Sequence, residues 1–480
     1  MFPERLLRSG PGFLACLFLG CGSEGLDSAQ HATPRDIVLI VIDTLRADHL
    51  GAYGYSRDTS PTLDGLAERG MLFTNATATS SWTRPAMASL FTARLPSELA
   101  LRTTTDVLGP AWPTLAERLQ ESGYRTVGVS GNFVHISEPS GLARGFDPFV
   151  PVAIRASESS DMLFERLDAE TGYVPIPLRA PTARELNERV FATLDGLDGS
   201  AGRPLFLYVH YMDPHSGYPP PAALARKLAG DAAGPGANSD YLLDIAAGRR
   251  NVDDAEKERL IALYDGEIAS VDAQIGLLLR ALEERSLAKE AVVIVVSDHG
   301  EEFTEHGGWF HGLTLHRELL HVPLIIHDRL TGGEATRRDE PVDLVDVAAT
   351  VLALAGLAGE SESGGRNLLA AGALPARIQI AELEHDQLRE ERVGAVRHRR
   401  AVTGWPWKAI VDAQGATAVY RIDRDPGETM PLSLDDPAVP ATLRVRARHL
   451  AVQAAETGVG VVPELAPEER AALRALGYAE

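Results

Sequence analysis

Along the chain, short unbroken runs of β-branched apolar residues alternate with longer stretches in which apolar positions recur every three or four residues. Ile37-Val38-Leu39-Ile40-Val41-Ile42 halts at Asp43, and Ala291 to Val296 halts at Ser297-Asp298-His299-Gly300. Runs without polar alternation predict strands buried on both faces of a parallel sheet. Arg125 to Ser130, Pro204 to Val209 and Val322 to Ile326 read as three more. Between them the period lengthens. Ser60-Pro61 opens a helix that Gly70 closes. Thr182 and Glu185 form a capping-box pair ahead of another. A long helix from about Asp254 to Arg285 steps by four and three through Tyr264, Ile268, Val271, Ile275 and Leu278, and Asp343 to Leu357 completes the layer. The alternation predicts an α/β domain, a largely parallel central sheet with helices on both faces. Ligands gather at the carboxyl ends of the strands in such sheets, and Asp43, His210 and Asp298-His299 fall there.

After about Ala371 the pattern shortens. Strand-like pieces at Ala376 to Ile380, Lys408 to Val411 and Val419 to Ile422, with turns at Gly404 and Asp425-Pro426-Gly427, predict a small C-terminal α+β subdomain over 371–480 behind a main domain over 35–370. Ala222 to Ala237, rich in Ala and Gly, reads as a surface insertion near the site mouth. At the other end, Arg5 and Arg8 precede the short apolar run Phe13 to Leu19, the layout of a secretory signal. Leu19-Gly20-Cys21 resembles a bacterial lipobox. The expectation is export to the periplasm or cell surface with Cys21 carrying a lipid anchor, residues 1–21 acting as signal and 22–34 as tether; a plain signal peptide is the alternative. No later run approaches the roughly 18 apolar residues of a membrane span.

The 480 residues are 45% apolar and 24% charged, an ordinary balance for a folded chain. Asp+Glu outnumber Lys+Arg by 67 to 46, a net charge of −21, which repels phosphate backbones and argues against nucleic-acid binding. Cys16 and Cys21 are the two cysteines, so a disulfide scaffold, a zinc-thiolate cluster and a cysteine nucleophile in the main domain are excluded. The Arg-rich stretch Arg389 to Arg400 reads as a solvated surface, with attraction of an acidic polymer as the alternative.

Four groups then stand out in order: Asp43, Thr83, and the pair Asp298-His299. Two carboxylates and an imidazole are hard-to-borderline ligands that suit a divalent ion, Zn²⁺ or Mn²⁺ above a soft metal, with Ca²⁺ as a further candidate. A metal-bound hydroxyl loses its proton more easily, which would make Thr83 a nucleophile near neutral pH. Thr83-Arg84-Pro85-Ala86-Met87-Ala88-Ser89-Leu90-Phe91 reads as a helix start whose positive end favours an anionic group. Taken singly, Thr83 is an ordinary cap, and Asp43 and Asp298-His299 are strand-end loop residues; their joint occurrence carries the reading. A second cluster, His210-Tyr211-Met212-Asp213-Pro214-His215, follows a buried strand. Its His210, Asp213 and His215 are candidates to hold a substrate anion or a second metal. Six of the 14 histidines lie between His299 and His327. A His-rich loop without catalytic role is the plain reading of His316, His321 and His327, while His306 and His311 sit in the more suggestive segment Glu301 to His316.

Ile42-Asp43-Thr44-Leu45-Arg46-Ala47-Asp48 through Ser60-Pro61-Thr62-Leu63-Asp64 resembles the opening of sulfatase-like hydrolases of the alkaline-phosphatase superfamily. Ser297-Asp298-His299-Gly300-Glu301, Glu305-His306-Gly307, His311-Gly312 and Val322-Pro323-Leu324 resemble their second metal motif. The resemblance covers about residues 36 to 432. It implies an alkaline-phosphatase-like fold and a divalent-metal site at Asp43, Thr83, Asp298 and His299. It also implies an anion- or second-metal-binding role for His210, His215 and His311. Several positions depart from the family pattern. Thr83-Arg84-Pro85-Ala86-Met87 stands where sulfate-ester hydrolases carry Cys/Ser-x-Pro-x-Arg, whose Cys or Ser becomes formylglycine. Thr44 stands where a second metal-binding Asp is usual, His311 where a substrate-binding Lys is usual, and Gly131-Asn132 where Gly-Lys-x-His is usual. Asp, Thr, Asp and His together are similar to the zinc site of phosphodiesterases and phosphoethanolamine transferases of the same superfamily.

Formylglycine sheds sulfate by breaking its own hemiacetal, an exit threonine lacks, whereas phosphothreonine is open to attack at phosphorus with metal help. The expected activity is therefore metal-dependent hydrolysis of phosphate, phosphodiester or phosphonate esters ahead of sulfate, on a small-molecule, glycan or lipid substrate, with His215 or His311 protonating the leaving group. A phosphoethanolamine-type transferase and a catalytically silent sulfatase-like binding protein are the alternatives.

Overall fold

The computed structural model describes residues 34–456 apart from 102, 104–105, 156–162, 169–171, 198–201, 216, 231–238, 331–334, 358–363, 385–398 and 413–414. The expected signal, lipobox, tether and C-terminal tail lie outside the described residues. Eight strands form the central sheet: β1 Ile37–Ile42, β2 Met71–Phe73, β3 Arg125–Ser130, β4 Phe149–Pro151, β5 Leu205–Tyr211, β6 Val292–Val296, β7 Leu324–Asp328 and β8 Thr336–Arg338. Their order is β8-β2-β7-β6-β1-β5-β3-β4. The block from β6 to β4 is parallel throughout, with Ile37 opposite both Val292 and Phe206.

The apolar runs form strands because both faces are covered. Along β1, Ile37, Leu39 and Val41 enter one core and Val38, Ile40 and Ile42 the other, the alternation that period-2 geometry requires. The first core takes the helices Thr83–Thr92 and Leu344–Leu354; the second takes Pro61–Ala67, Ala183–Asp195 and the long Asp254–Glu284. The capping box expected at Thr182 is formed, the Thr182 side chain accepting from Glu185 N. No helix among the described residues is long and apolar enough to cross a membrane.

One strand departs from the expected parallel arrangement. β7 runs antiparallel to β6, pairing Val292 with Asp328 and Val296 with Leu324. A parallel return needs a covering crossover, usually a helix. The connection between β6 and β7 contains only the four-residue helix Arg317–Leu320, the rest being irregular chain and the two-residue strands Glu302–Phe303 and Trp309–Phe310. The proposed insertion near Ala222 begins as a helix, Ala222–Ala229.

The C-terminal subdomain is a four-stranded antiparallel sheet, β9 Gln379–Leu383, β10 Arg399–Gly404, β11 Trp407–Asp412 and β12 Thr417–Arg421, with the helix Ala441–Glu456. β10 was hidden by its arginines. Arg400 pairs with Glu382 and Glu384, so this end of the Arg-rich stretch is part of the sheet; the segment from Arg389 to Arg397 lies outside the described residues. One face of the sheet packs Ala381, Leu383, Ala401 and Ile410 on the main core, and the other packs Val402, Ala409 and Val411 on Leu443, Ala447 and Leu450.

Glu428 ties this subdomain to the main domain. Both of its carboxylate oxygens accept from Lys408 Nζ, at 2.7 and 3.0 Å, and Oε2 pairs with His316 Nδ1 at 3.0 Å and accepts from Arg317 N at 3.1 Å. Its carbonyl accepts from His306 Nε2 at 3.1 Å. The His306 and His316 rings stack at 3.5 Å, and His306 Nδ1 meets Glu318 Oε1 at 2.7 Å. Burial opposes the charge on Glu428, but Lys408 and His316 outweigh it and hold the carboxyl at about 2. Removing one partner of such a buried pair leaves an uncompensated charge, at a cost of about 3–5 kcal/mol. Lys408→Ala is expected to lower unfolding free energy by about that amount, read as a shift of the denaturant midpoint with little change in slope.

Candidate active site

The parallel strands end on one edge, and the site is assembled there. Asp43 is the first residue past β1, its N–H bonded to Tyr211 O at 3.0 Å. Thr44 follows with φ 56°, a left-handed conformation that turns the chain sharply away from the strand end. Asp298 and His299 follow β6, and His210 lies near the end of β5. Thr83 opens its helix, placing its hydroxyl at the positive end. All five of Asp43, Thr83, His210, Asp298 and His299 are fully buried.

The expected metal ligands converge on His299 Nε2. Thr83 Oγ1 is 3.3 Å from it, Asp298 Oδ2 3.3 Å and Asp43 Oδ1 3.8 Å. His299 Nδ1 sits 3.0 Å from Gly300 O, which only accepts, so Nδ1 carries the hydrogen and Nε2 of the neutral ring presents a lone pair. Asp43 Oδ1 and Asp298 Oδ2 accept no hydrogen bond although both are buried. An unsatisfied buried acceptor costs about 1–3 kcal/mol. Lone pairs from two carboxylates, an imidazole and a hydroxyl facing one point fit a divalent cation. The electrostatics agree. Burial and the neighbouring Asp43 charge push the Asp298 carboxyl well above the usual range. Burial opposes the Asp43 charge too, but the His210 hydrogen bond and the surrounding imidazoles of His215, His210 and His299 outweigh it and hold that carboxyl below the range.

A second ring of groups positions the first. Asp43 Oδ2 accepts from Asn132 Nδ2 at 2.9 Å and is 3.2 Å from His210 Nε2. Since the carboxylate only accepts, His210 Nε2 carries the hydrogen, and Tyr208 O–H donates to His210 Nδ1 at 2.7 Å. Asn132 was read in sequence only as a departure from a motif; its place at the carboxyl end of β3 was the signal that it belongs here. His311 lies within the site, its ring 4.6 Å from His299 and 5.0 Å from His215. Met87 is a core residue of the Thr83–Thr92 helix and plays no part in the cluster.

Asp213 does not join the cluster. Strand alternation sends Tyr211 to the face of the long helix, where its hydroxyl donates to Asn187 Oδ1. Asp213, two residues on, hydrogen-bonds Glu267 of the Asp254–Glu284 helix and the backbone of Ala183. The anion- or second-metal role expected of Asp213 is therefore replaced by a carboxyl–carboxylate pair under the His215 loop. The remaining histidines of the rich segment are also tied into the fold: His321 Nε2 meets Thr74 O at 2.8 Å and His327 Nδ1 meets Arg69 O at 2.8 Å.

With this geometry in hand, the comparisons decide the family. The Sulfatase family model matches residues 35–357. The chain belongs to the sulfatase family. Human iduronate 2-sulfatase is 25% identical over 417 residues, covering 73% of this chain and 75% of its own. The Δ4,5-hexuronate-2-O-sulfatase of Bacteroides thetaiotaomicron is 23% identical over 462 residues, 90% of each chain. The phosphonate monoester hydrolase of Silicibacter pomeroyi shares the fold at a TM-score of 0.66 with 18% identity, covering 87% of this chain and 95% of that one. Membership makes the protein an ester hydrolase. Sulfatase-family enzymes typically depend on a divalent metal, commonly Ca²⁺ or Mg²⁺, so the earlier preference for Zn²⁺ or Mn²⁺ rests on the ligand types alone.

Two predictions follow from the carboxylates. Asp43→Asn and Asp298→Asn each remove a charge facing His299 Nε2, and each is expected to lower divalent-ion affinity by tenfold or more, measured by titration calorimetry. Burial and the partner carboxyl raise Glu267 well above its ordinary value, and burial raises Asp213. The folded protein thus retains a proton that the unfolded chain releases. Stability from this pair is complete below the ordinary carboxylate range and falls as pH rises toward the raised folded values. Glu267→Gln is expected to flatten that decline, measured by denaturant unfolding at a series of pH values rising from the ordinary carboxylate range.

Proposed function

We propose that this protein is a divalent-metal-dependent hydrolase of phosphate or phosphonate esters, working through a covalent intermediate on Thr83. The observation that carries the reading is the hydroxyl of Thr83, 3.3 Å from His299 Nε2, among two buried carboxylates at a helix start. Threonine cannot be converted to formylglycine, and its sulfate ester would lack the hemiacetal exit. Its phosphoryl ester remains open to water. The fold shared with a phosphonate monoester hydrolase supports the same choice, while the uronate sulfatases among the relatives support an anionic glycan ester as the wider substrate class. The lipobox-like Leu19-Gly20-Cys21 adds export and lipid attachment to the proposal.

Asp43, Asp298, His299 and Thr83 would hold the ion. Bound there, it lowers the pKa of the Thr83 hydroxyl and offsets charge developing on the ester oxygens. The chain's own groups do the rest. Thr83 Oγ attacks the ester centre, and the bond to the leaving oxygen breaks. The helix start favours the anionic group held at Thr83. Asn132 and His210 keep Asp43 in place through its Oδ2. Water then attacks the esterified Thr83 and frees the hydroxyl.

The test is a matched set of aryl phosphate, phosphodiester, phosphonate and sulfate esters offered to the wild type, Thr83→Ala and Thr83→Ser with a divalent ion present. The expected result is preference for the phosphorus esters. Loss of a nucleophile costs on the order of 10⁴-fold or more in kcat, so Thr83→Ala should be nearly inactive and Thr83→Ser substantially active. Undiminished turnover by Thr83→Ala, or sulfate as the preferred ester, overturns the proposal.

A further inference from the structure

Beginning three residues past His299, a second group of ligand-type side chains gathers outside the Asp43–Asp298 cluster. One carboxylate oxygen of Glu302, one ring nitrogen of His306 and one carboxylate oxygen of Glu318 lie within 4.8 Å of one another. Glu302 is fully buried, Glu318 is buried and His306 half-buried. Glu302 Oε1 accepts from the N–H groups of His306 and Gly308, at 3.1 and 2.7 Å, which orients the carboxylate. Its other oxygen, Oε2, is buried and accepts no hydrogen bond. A Cβ at position 308 would stand 2.7 Å from Oε2, so glycine there leaves the carboxylate its place. An unsatisfied buried carboxylate oxygen is costly.

His306 shows what kind of partner belongs here. Its Nε2 faces the Glu428 carbonyl, which only accepts, so Nε2 carries a hydrogen. In the neutral ring Nδ1 then holds a lone pair, 2.7 Å from Glu318 Oε1. A lone pair and a carboxylate oxygen that close need a positive centre. A proton can supply one: burial opposes the His306 charge, but the Glu318 hydrogen bond outweighs it and pushes the ring up to about 9. That proton leaves Glu302 Oε2 without a partner, whereas a cation answers all three residues. A metal-bound imidazole ordinarily gives its other N–H to a carboxylate or backbone carbonyl, as His306 does at Glu428. Burial and the Glu318 charge raise the Glu302 carboxyl above its ordinary range, a like-charge opposition that a cation relieves.

We infer that Glu302, His306 and Glu318 form a second divalent-cation site, separate from the one at Asp43 and Asp298, for an ion of the Zn²⁺ class. Two carboxylates and one imidazole are its donors. The His306 side chain is 14% exposed, which leaves a side open for entry and for a water ligand. The ion enters as the Nδ1 proton leaves to solvent. Its effect is to clamp chain that has little regular structure. Glu302 opens the two-residue strand Glu302–Phe303, and Glu318 lies in the helix Arg317–Leu320. Gly300 N donates to Leu319 O at 2.8 Å, and Glu318 O leaves no room for a side chain at Gly300. The clamp therefore bears on the residue that follows His299. It holds whether or not Thr83 is the nucleophile.

Counting ions on the full chain tests this. The wild type, Asp43→Asn/Asp298→Asn, and that double variant with Glu302→Gln added are loaded with Zn²⁺, dialysed against metal-free buffer and measured by elemental analysis. The expected contents are two, one and no zinc per chain. In the double variant Zn²⁺ is expected to raise the unfolding midpoint. Adding Glu302→Gln or Glu318→Gln is expected to weaken Zn²⁺ binding at least tenfold by titration calorimetry and to abolish that rise. Both amides keep the side-chain volume, and their unfolding transitions in chelator report that they fold. Zinc bound at undiminished affinity in both amide variants, or no zinc in Asp43→Asn/Asp298→Asn, overturns the inference and leaves His306 as an imidazolium bridge. Two zinc ions in Asp43→Asn/Asp298→Asn, one of them removed by Glu302→Gln, supports the clamp and defeats only the assignment of an ion to Asp43 and Asp298.

Discussion

Two fully buried carboxylates, Asp43 and Asp298, stand a few ångströms from one another, and the strand ends around them are arranged to keep them there. Asp43 and Asp298 project from the ends of neighbouring parallel strands. The sheet register sets the spacing of the backbones that carry them. The tension is met from three sides. Asn132 and His210 donate to the outer oxygen of Asp43. The N–H groups of Thr44 and His299 donate to Asp298 Oδ1 at 3.3 and 3.0 Å. The inner oxygens are left toward His299 and the Thr83 hydroxyl, where the proposed cation would answer both charges at once.

The parallel core was legible because burial on both faces writes itself as uninterrupted Val, Ile and Leu. β1, β3 and β6 fall within about a residue of their apolar runs. Asp43, Thr83, Asp298 and His299 were legible for a related reason: strand ends and helix starts are where a sequence reader looks for chemistry, and the family pattern names the same positions. What escaped notice depended on contacts distant in sequence. β7 runs against its neighbour because the connection before it lacks a long covering helix, which the apolar pattern of Val322 to Ile326 cannot report. β10 is written in arginines whose partners, Glu382 and Glu384, lie on the adjoining strand and just beyond its end. Asp213 looked like a site residue, but in the turn after β5 it hydrogen-bonds Glu267 instead. Asn132 and Tyr208 reach the site through Asp43 and His210, and such contacts leave no spacing signature.

The departures from the formylglycine pattern acquire a common sense in three dimensions. A threonine at the helix start keeps a side-chain oxygen there that cannot become an aldehyde. A histidine in place of the usual lysine at 311 stands 3.0 Å from Glu301 through its Nδ1. Met87, where an arginine is usual, fills core space behind the helix. The substituted positions thus sit together on a scaffold that keeps the family's fold.

The contact at Glu428 carries a further meaning for how the two parts of the chain depend on each other. The segment between β6 and β7 supplies Asp298, His299, Glu301 and His311 and has little regular structure of its own. Its far side is held by Glu428 from beyond β12, with Tyr420 against His316 and Trp405 under Arg317. The C-terminal sheet is therefore a brace for this loop and not an appendage. A chimaera that joins this main domain to another member's C-terminal sheet inherits a working loop only when the graft brings an acid to that spot and an amine to the place of Lys408.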